Sequence, residues 1–142
     1  MTKIPDRINI DKSDREIYNS LDQEEILKFK GGRRTRREQF IFSLAVGFNN
    51  KAKSESEIEN KEGWFNAREL QPEDYAILNA VALFHTGTID ILSKKDLVFK
   101  IAEEYAHLGV RLLSNKIRNT PYGSFEKILE KELDELCRRI KS

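Results

Sequence analysis

The stretch Gly31–Phe48, GGRRTRREQFIFSLAVGF, decides how the rest of the chain reads. Two glycines precede four arginines within five residues, Arg33, Arg34, Arg36 and Arg37. Thr35-Arg36-Arg37-Glu38 has the form of a capping box, in which the Thr hydroxyl accepts from the amide three residues on and the Glu reaches back. A helix is therefore expected to start at Arg36. Phe40, Ile41, Phe42, Leu44, Ala45, Val46 and Phe48 leave it almost no polar face. A helix apolar nearly all round is a buried one. Asn49-Asn50 is expected to stop it, because short amides prefer turns and left-handed geometry to helix interiors. One end is built to meet something negative and the other to sit in a core.

On the N-terminal side, the ten residues 28–37 hold six positive charges and no acid: Lys28, Lys30, Arg33, Arg34, Arg36 and Arg37. These are the candidate nucleic-acid or polyanion contacts. Arginine forks grip phosphate oxygens in pairs, and the glycines let the segment conform to them. The helix start adds amide donors. Arginine beside a helix N-terminus opposes the macrodipole at a cost of about 0.3–1 kcal/mol per charge, so the cluster is not there to stabilise the helix. The bland alternative is an exposed loop of solvated charges, some paired with the acids of residues 51–62. Residues 24–30 (EEILKFK) extend the preceding helix or form a brief strand, and their period does not decide. Ser13-Asp14-Arg15-Glu16 is a further capping-box pattern, with a short helix over about residues 14–21 burying Ile17, Tyr18 and Leu21. Residues 1–12 read as an extended arm, where Pro5 disfavours helix before it and Ile4, Ile8 and Ile10 alternate as in a short strand or a docked segment.

On the C-terminal side, residues 51–62 (KAKSESEIENKE) form a solvated polar loop. Trp64 and Phe65 re-anchor the chain. Pro72 sits in the first turn of a helix over Pro72–Thr86, with Glu73 and Asp74 at its positive end and Gly87 in the cap position after it. A short link, Thr88–Leu92, leads to a long helix over about Lys94–Arg118. Its apolar stripe is Leu97, Ile101, Tyr105, Leu108, Leu112 and Leu113, with Val98, Ala102 and Val110 beside it. After the connector Thr120–Gly123, Ser124 caps a last helix whose apolar face includes Phe125, Leu129, Leu133, Leu136 and Ile140. Two helices joined so briefly are expected to be antiparallel neighbours. The expected fold is all-α, a single compact domain of about five helices around a buried central helix, Arg36–Phe48. Residues 1–12 are its arm, residues 13–142 the helical domain, and residues 51–62 its polar loop.

Composition sets the class. In 142 residues, 39% are hydrophobic and 35% charged, which suits one soluble domain with a sizeable core. The net charge of +1 argues neither for nor against a polyanion, so only local clustering can. The single cysteine, Cys137, excludes an internal disulfide and fits a cytoplasmic protein. No apolar run approaches the roughly 18–20 residues of a membrane span, and the first residues lack a signal-peptide core.

Catalytic chemistry finds no footing. There is no phosphate loop, dinucleotide fingerprint, zincin pair or nucleophile elbow. Glu103 and His107, four residues apart, share a helical face, but a third metal ligand at matching spacing is lacking, and a surface hydrogen bond explains the pair. His85 ends a buried helix. Cys137 has no histidine or second cysteine near it in sequence and reads as a quiet, partly buried thiol. The acids Asp6, Asp11, Asp14 and Asp22 lack calcium-loop spacing. Trp64, Phe65 and Arg68 would make a base-stacking surface, although an aromatic pair at a loop-to-core junction more often anchors the loop. No catalytic residue, metal or cofactor is expected, and the chain reads as a non-enzyme.

Three segments carry a family resemblance: FIFSLAVGFNNK at 40–51, EDYAILNAVALFHTGTIDIL at 73–92 and IAEEYAHLGVRLL at 101–113. Over roughly residues 14–115 the chain resembles the DNA phosphorothioation-associated protein 4 family, small accessory members of prokaryotic Dnd gene clusters. The resemblance implies a role beside sulfur modification of the DNA backbone, or beside the restriction machinery that reads it in anti-phage defence. It supplies no catalytic residues. The expected partners are DNA, met through its phosphate backbone, other proteins of the same system, or both. A protein–protein adaptor or a DNA-binding regulator unconnected with sulfur modification is the alternative.

Overall fold

Thr35 opens the helix on which the rest of the chain packs. Its hydroxyl accepts from the Glu38 amide at 3.2 Å, and its own amide donates to Glu38 Oε1 at 3.1 Å. This is the reciprocal pair of a capping box, and the helix starts at Arg36 as read from the sequence. The computed structural model describes residues 5–23, 35–50, 58–119 and 124–141. The EEILKFK segment, the Gly31-Gly32 hinge, residues 51–57 of the polar loop and the connector 120–123 lie outside the described residues.

In chain order the elements are β1 (Arg7–Asp11), a 3₁₀ turn (Lys12–Asp14), α1 (Arg15–Gln23), α2 (Arg36–Asn50), β2 (Lys61–Asn66) and a second 3₁₀ turn (Ala67–Glu69). Then come α3 (Pro72–Thr86), a third 3₁₀ turn (Ile89–Ser93), α4 (Lys95–Asn119) and α5 (Ser124–Lys141). Along α2, Phe40, Leu44, Ala45, Val46 and Phe48 are buried, as a helix without a polar face must be. The helix runs two residues past Phe48 rather than stopping there. Asn49 donates to the Glu132 carbonyl on α5, and Asn50 donates to Val46 O at 2.7 Å and to Glu132 Oε1 at 3.1 Å. The two amides tie the last turn of α2 to α5.

Two glycines let α2 and α4 cross at backbone contact. A Cβ on Gly47 would stand 2.0 Å from the Tyr105 carbonyl oxygen, and one on Gly109 only 1.6 Å from that of Ser43. This crossing sets the buried face of α4, which is Val98, Ala102, Tyr105, Ala106, Gly109, Val110 and Leu113. Of the apolar face expected from the sequence, Val98, Ala102, Tyr105, Val110 and Leu113 are buried and Ile101 and Leu112 pack partly buried against the core, while Leu97 faces solvent. Among the described residues, α5 packs chiefly on α2.

The expected all-α fold is corrected by a small sheet, which makes this a mostly helical single domain with a two-stranded antiparallel ribbon. β1 pairs with β2 in the register Arg7↔Asn66, Ile8↔Phe65, Asn9↔Gly63, Ile10↔Glu62 and Asp11↔Lys61. Ile8 and Ile10 alternate into the core, so the arm is docked over this length. The register shifts between Ile8 and Asn9, and Trp64 is the extra residue of a bulge. Both outer edges of the ribbon are plugged by side chains: Asn9 N donates to Glu103 Oε2 at 2.7 Å, and Arg36 donates to the Trp64 carbonyl at 2.9 Å. Among the described residues, no helix is long and apolar enough to cross a membrane.

Candidate functional site

Of the six candidate polyanion residues, Arg36 and Arg37 lie within the described structure at the start of α2. Lys28, Lys30, Arg33 and Arg34 lie outside the described residues. The Arg36 guanidinium carbon stands 4.1 Å from the centroid of the Trp64 ring, a cation–π stack. The indole beneath it is buried and lies against Tyr18, with ring centroids 5.2 Å apart. Arg37 donates to Asp74 Oδ2 at 2.8 Å. Asp74 is itself buried in the first turn of α3 and also accepts from the Gln71 amide at 2.7 Å. The dipole penalty expected for arginine at this helix end is offset by a π face for one and a carboxylate for the other. Their joint effect is to clamp the start of α2 to β2 and to α3, fixing the place where the basic segment enters the fold.

The spacing of α4 places a second polar group where the sequence reading put only a surface pair. Glu103, His107 and Arg111 recur every four residues and all meet the N-terminal segment. Glu103 takes the Asn9 amide. His107 Nδ1 is hydrogen-bonded to Asp14 Oδ2, the ring nitrogen donating to the carboxylate. Arg111 reaches Asp14 Oδ1 through Nε at 3.2 Å and Ser13 Oγ through Nη2 at 2.7 Å. Asp14, Glu103 and His107 are buried. Burial pushes the Glu103 carboxyl up to about 7, against the Asn9 amide and the Lys61 charge, which pull it down. Burial also raises Asp11, but hydrogen bonds from Ser13 and Glu59 outweigh it and hold that carboxyl below its usual range. Asp11 rather than Ser13 caps the turn, accepting from the Ser13 amide at 3.0 Å, and α1 accordingly begins at Arg15.

The remaining candidates go to separate places. His85 is exposed and hydrogen-bonded to the Tyr105 hydroxyl at 2.8 Å, while burial and then the Glu104 charge raise the Tyr105 phenol. Trp64 and Phe65 are buried and act as the anchor; only Arg68 of that trio is exposed, so the three do not form a stacking surface. Cys137 is exposed on α5 rather than partly buried. Among the described residues, no three His, Cys, Asp or Glu side chains gather as a metal site. The sequence signal for the α4 cluster was available: polar residues at four-residue steps cutting into an otherwise apolar helix. Their partners, more than ninety residues away in Ser13 and Asp14, were not.

Fold and side chains together define a small, mostly helical domain with a plugged two-stranded ribbon and a clamped, arginine-rich helix start. Residues 7–135 match the family described as DNA sulphur modification system-associated protein 4, and the chain belongs to that family. This bears out the resemblance and associates the chain with the DNA sulphur modification system. Comparison with curated proteins and with solved structures gave no match.

Proposed function

We propose that the chain serves the DNA sulphur modification system as a non-enzymatic accessory protein, holding DNA by its phosphate backbone through residues 28–37. The observation that carries this reading is the double clamp of Arg36 on Trp64 and Arg37 on Asp74. On this reading the labour divides within the basic stretch. Arg36 and Arg37 each turn one guanidinium nitrogen inward, to the Trp64 carbonyl and to Asp74, and fix the exit of the segment, while Lys28, Lys30, Arg33 and Arg34 meet phosphate. Contact of this kind is blind to base sequence and steeply salt-dependent. Gel-shift assays on ordinary and phosphorothioated duplexes at two salt concentrations test it. Retention on at least one duplex that weakens sharply with salt is expected, and retention on neither removes the DNA contact.

An adaptor that docks a larger protein of the system is the second reading. It is favoured by the exposed apolar side chains Phe84, Ile89 and Leu97, carried by α3, the third 3₁₀ turn and α4. Co-purification with the other proteins of the system discriminates, since a stoichiometric partner in a preparation without DNA affinity selects the adaptor.

A further inference from the structure

The Glu103–His107–Arg111 face of α4 is the grip that holds the N-terminal segment. Glu103 is 4% exposed and caps the one outward amide of β1 at which α4 meets the strand. The charged groups around it are Lys61 from β2 and Lys100 and Glu104 from its own helix, around an open hollow of about 150 Å³ that Ile58 also lines. One turn along, His107 and Arg111 hold Asp14 of the first 3₁₀ turn, and Asp11 ends β1 beside them.

We propose that β1 and the turn behind it form a proton-controlled latch on α4, closed while Glu103 is neutral and loosened when it ionises. A neutral carboxyl keeps accepting from the Asn9 amide and loses little by being buried. An ionised one must be held in the same place with only Asn9, through its backbone amide and its side chain, and the solvent-exposed Lys61 as compensation, a costly arrangement that water entering by the hollow relieves. Burial lifts the group to about 7, so the balance tips at neutral pH. Loosening β1 also frees the strand partner that presents Trp64 to Arg36. The inference stands independently of what the basic segment contacts.

Hydrogen exchange of the Asn9 amide, corrected for its intrinsic pH dependence, reads the latch directly. In the wild-type protein the protection factor should fall about tenfold between roughly pH 6 and pH 8. Glu103→Gln, which imitates the neutral acid, should stay protected throughout, and His107→Asn should keep the wild-type step. A step that persists in Glu103→Gln, that follows His107 instead, or that is missing from the wild type overturns the latch. Should Glu103→Gln fold poorly, carbon NMR titration of the wild-type Glu103 carboxyl decides. A midpoint near 7 supports the latch, and one in the ordinary glutamate range refutes it.

Discussion

Arg36 and Arg37 are neighbours in sequence with different partners, and each can be removed alone. Arg37 is about a quarter exposed, but the carboxylate it pairs with is buried. Arg37→Ala strands that charge with only the Gln71 amide, and a loss of about 2 kcal/mol is expected in urea denaturation. Arg37→Lys should recover part of it, since a point charge reaches the carboxylate without the fork geometry. Arg36→Ala removes the cover from the only tryptophan, Trp64. Its emission should shift to the red, with stability falling by about 1 kcal/mol. An unchanged spectrum would mean that the stack does not hold in solution.

Between elements, the decisive contact is the crossing of α2 and α4. Gly109→Ala or Gly47→Ala drives a methyl group into a carbonyl oxygen on the facing helix, which no side-chain rotation relieves. Each should cost about 3 kcal/mol or more in thermal or urea unfolding. Gly63→Ala is the control, because its methyl group meets the movable Arg7 side chain at 3.0 Å and should be tolerated. What the sequence showed at this scale was whatever depends on local chemistry. The Thr35 cap, the start of α3 at Pro72 and the left-handed Gly87 at its end, with φ 73°, all follow from residues within a turn of the effect. The apolar face of α4 is likewise legible, through Val98, Ala102, Tyr105, Val110 and Leu113, but hydropathy cannot weigh Gly109, which sets the centre of that face and leaves Leu97 outside it. β2 was hidden because Lys61-Glu62-Gly63 looks like loop until β1, some fifty residues earlier, is laid beside it.

For the molecule as a whole, one buried acid links stability to pH. The folded-state value of Glu103 is raised from 4.5 to about 7, so folding favours its protonated form. Its contribution is complete below about pH 4.5 and is lost as pH rises through 7. Over that window the penalty reaches up to about 3 kcal/mol, so the melting temperature should decline from pH 5 to pH 8, and Glu103→Gln should flatten the decline. The candidate site was legible as charge and not as architecture. Six cations without an acid stand out in one dimension, but Trp64 and Asp74 lie 28 and 37 residues beyond the arginines they receive. Only folding separates two anchors from four cations proposed to face DNA. That division is the central claim, and the salt dependence of duplex binding tests it most directly. Replacing Lys28, Lys30, Arg33 and Arg34 by Ala should make the slope of log affinity against log salt shallower by about 3 to 4 units, with the fold intact. An unchanged slope, or one that depends on Arg36 and Arg37 instead, would contradict it.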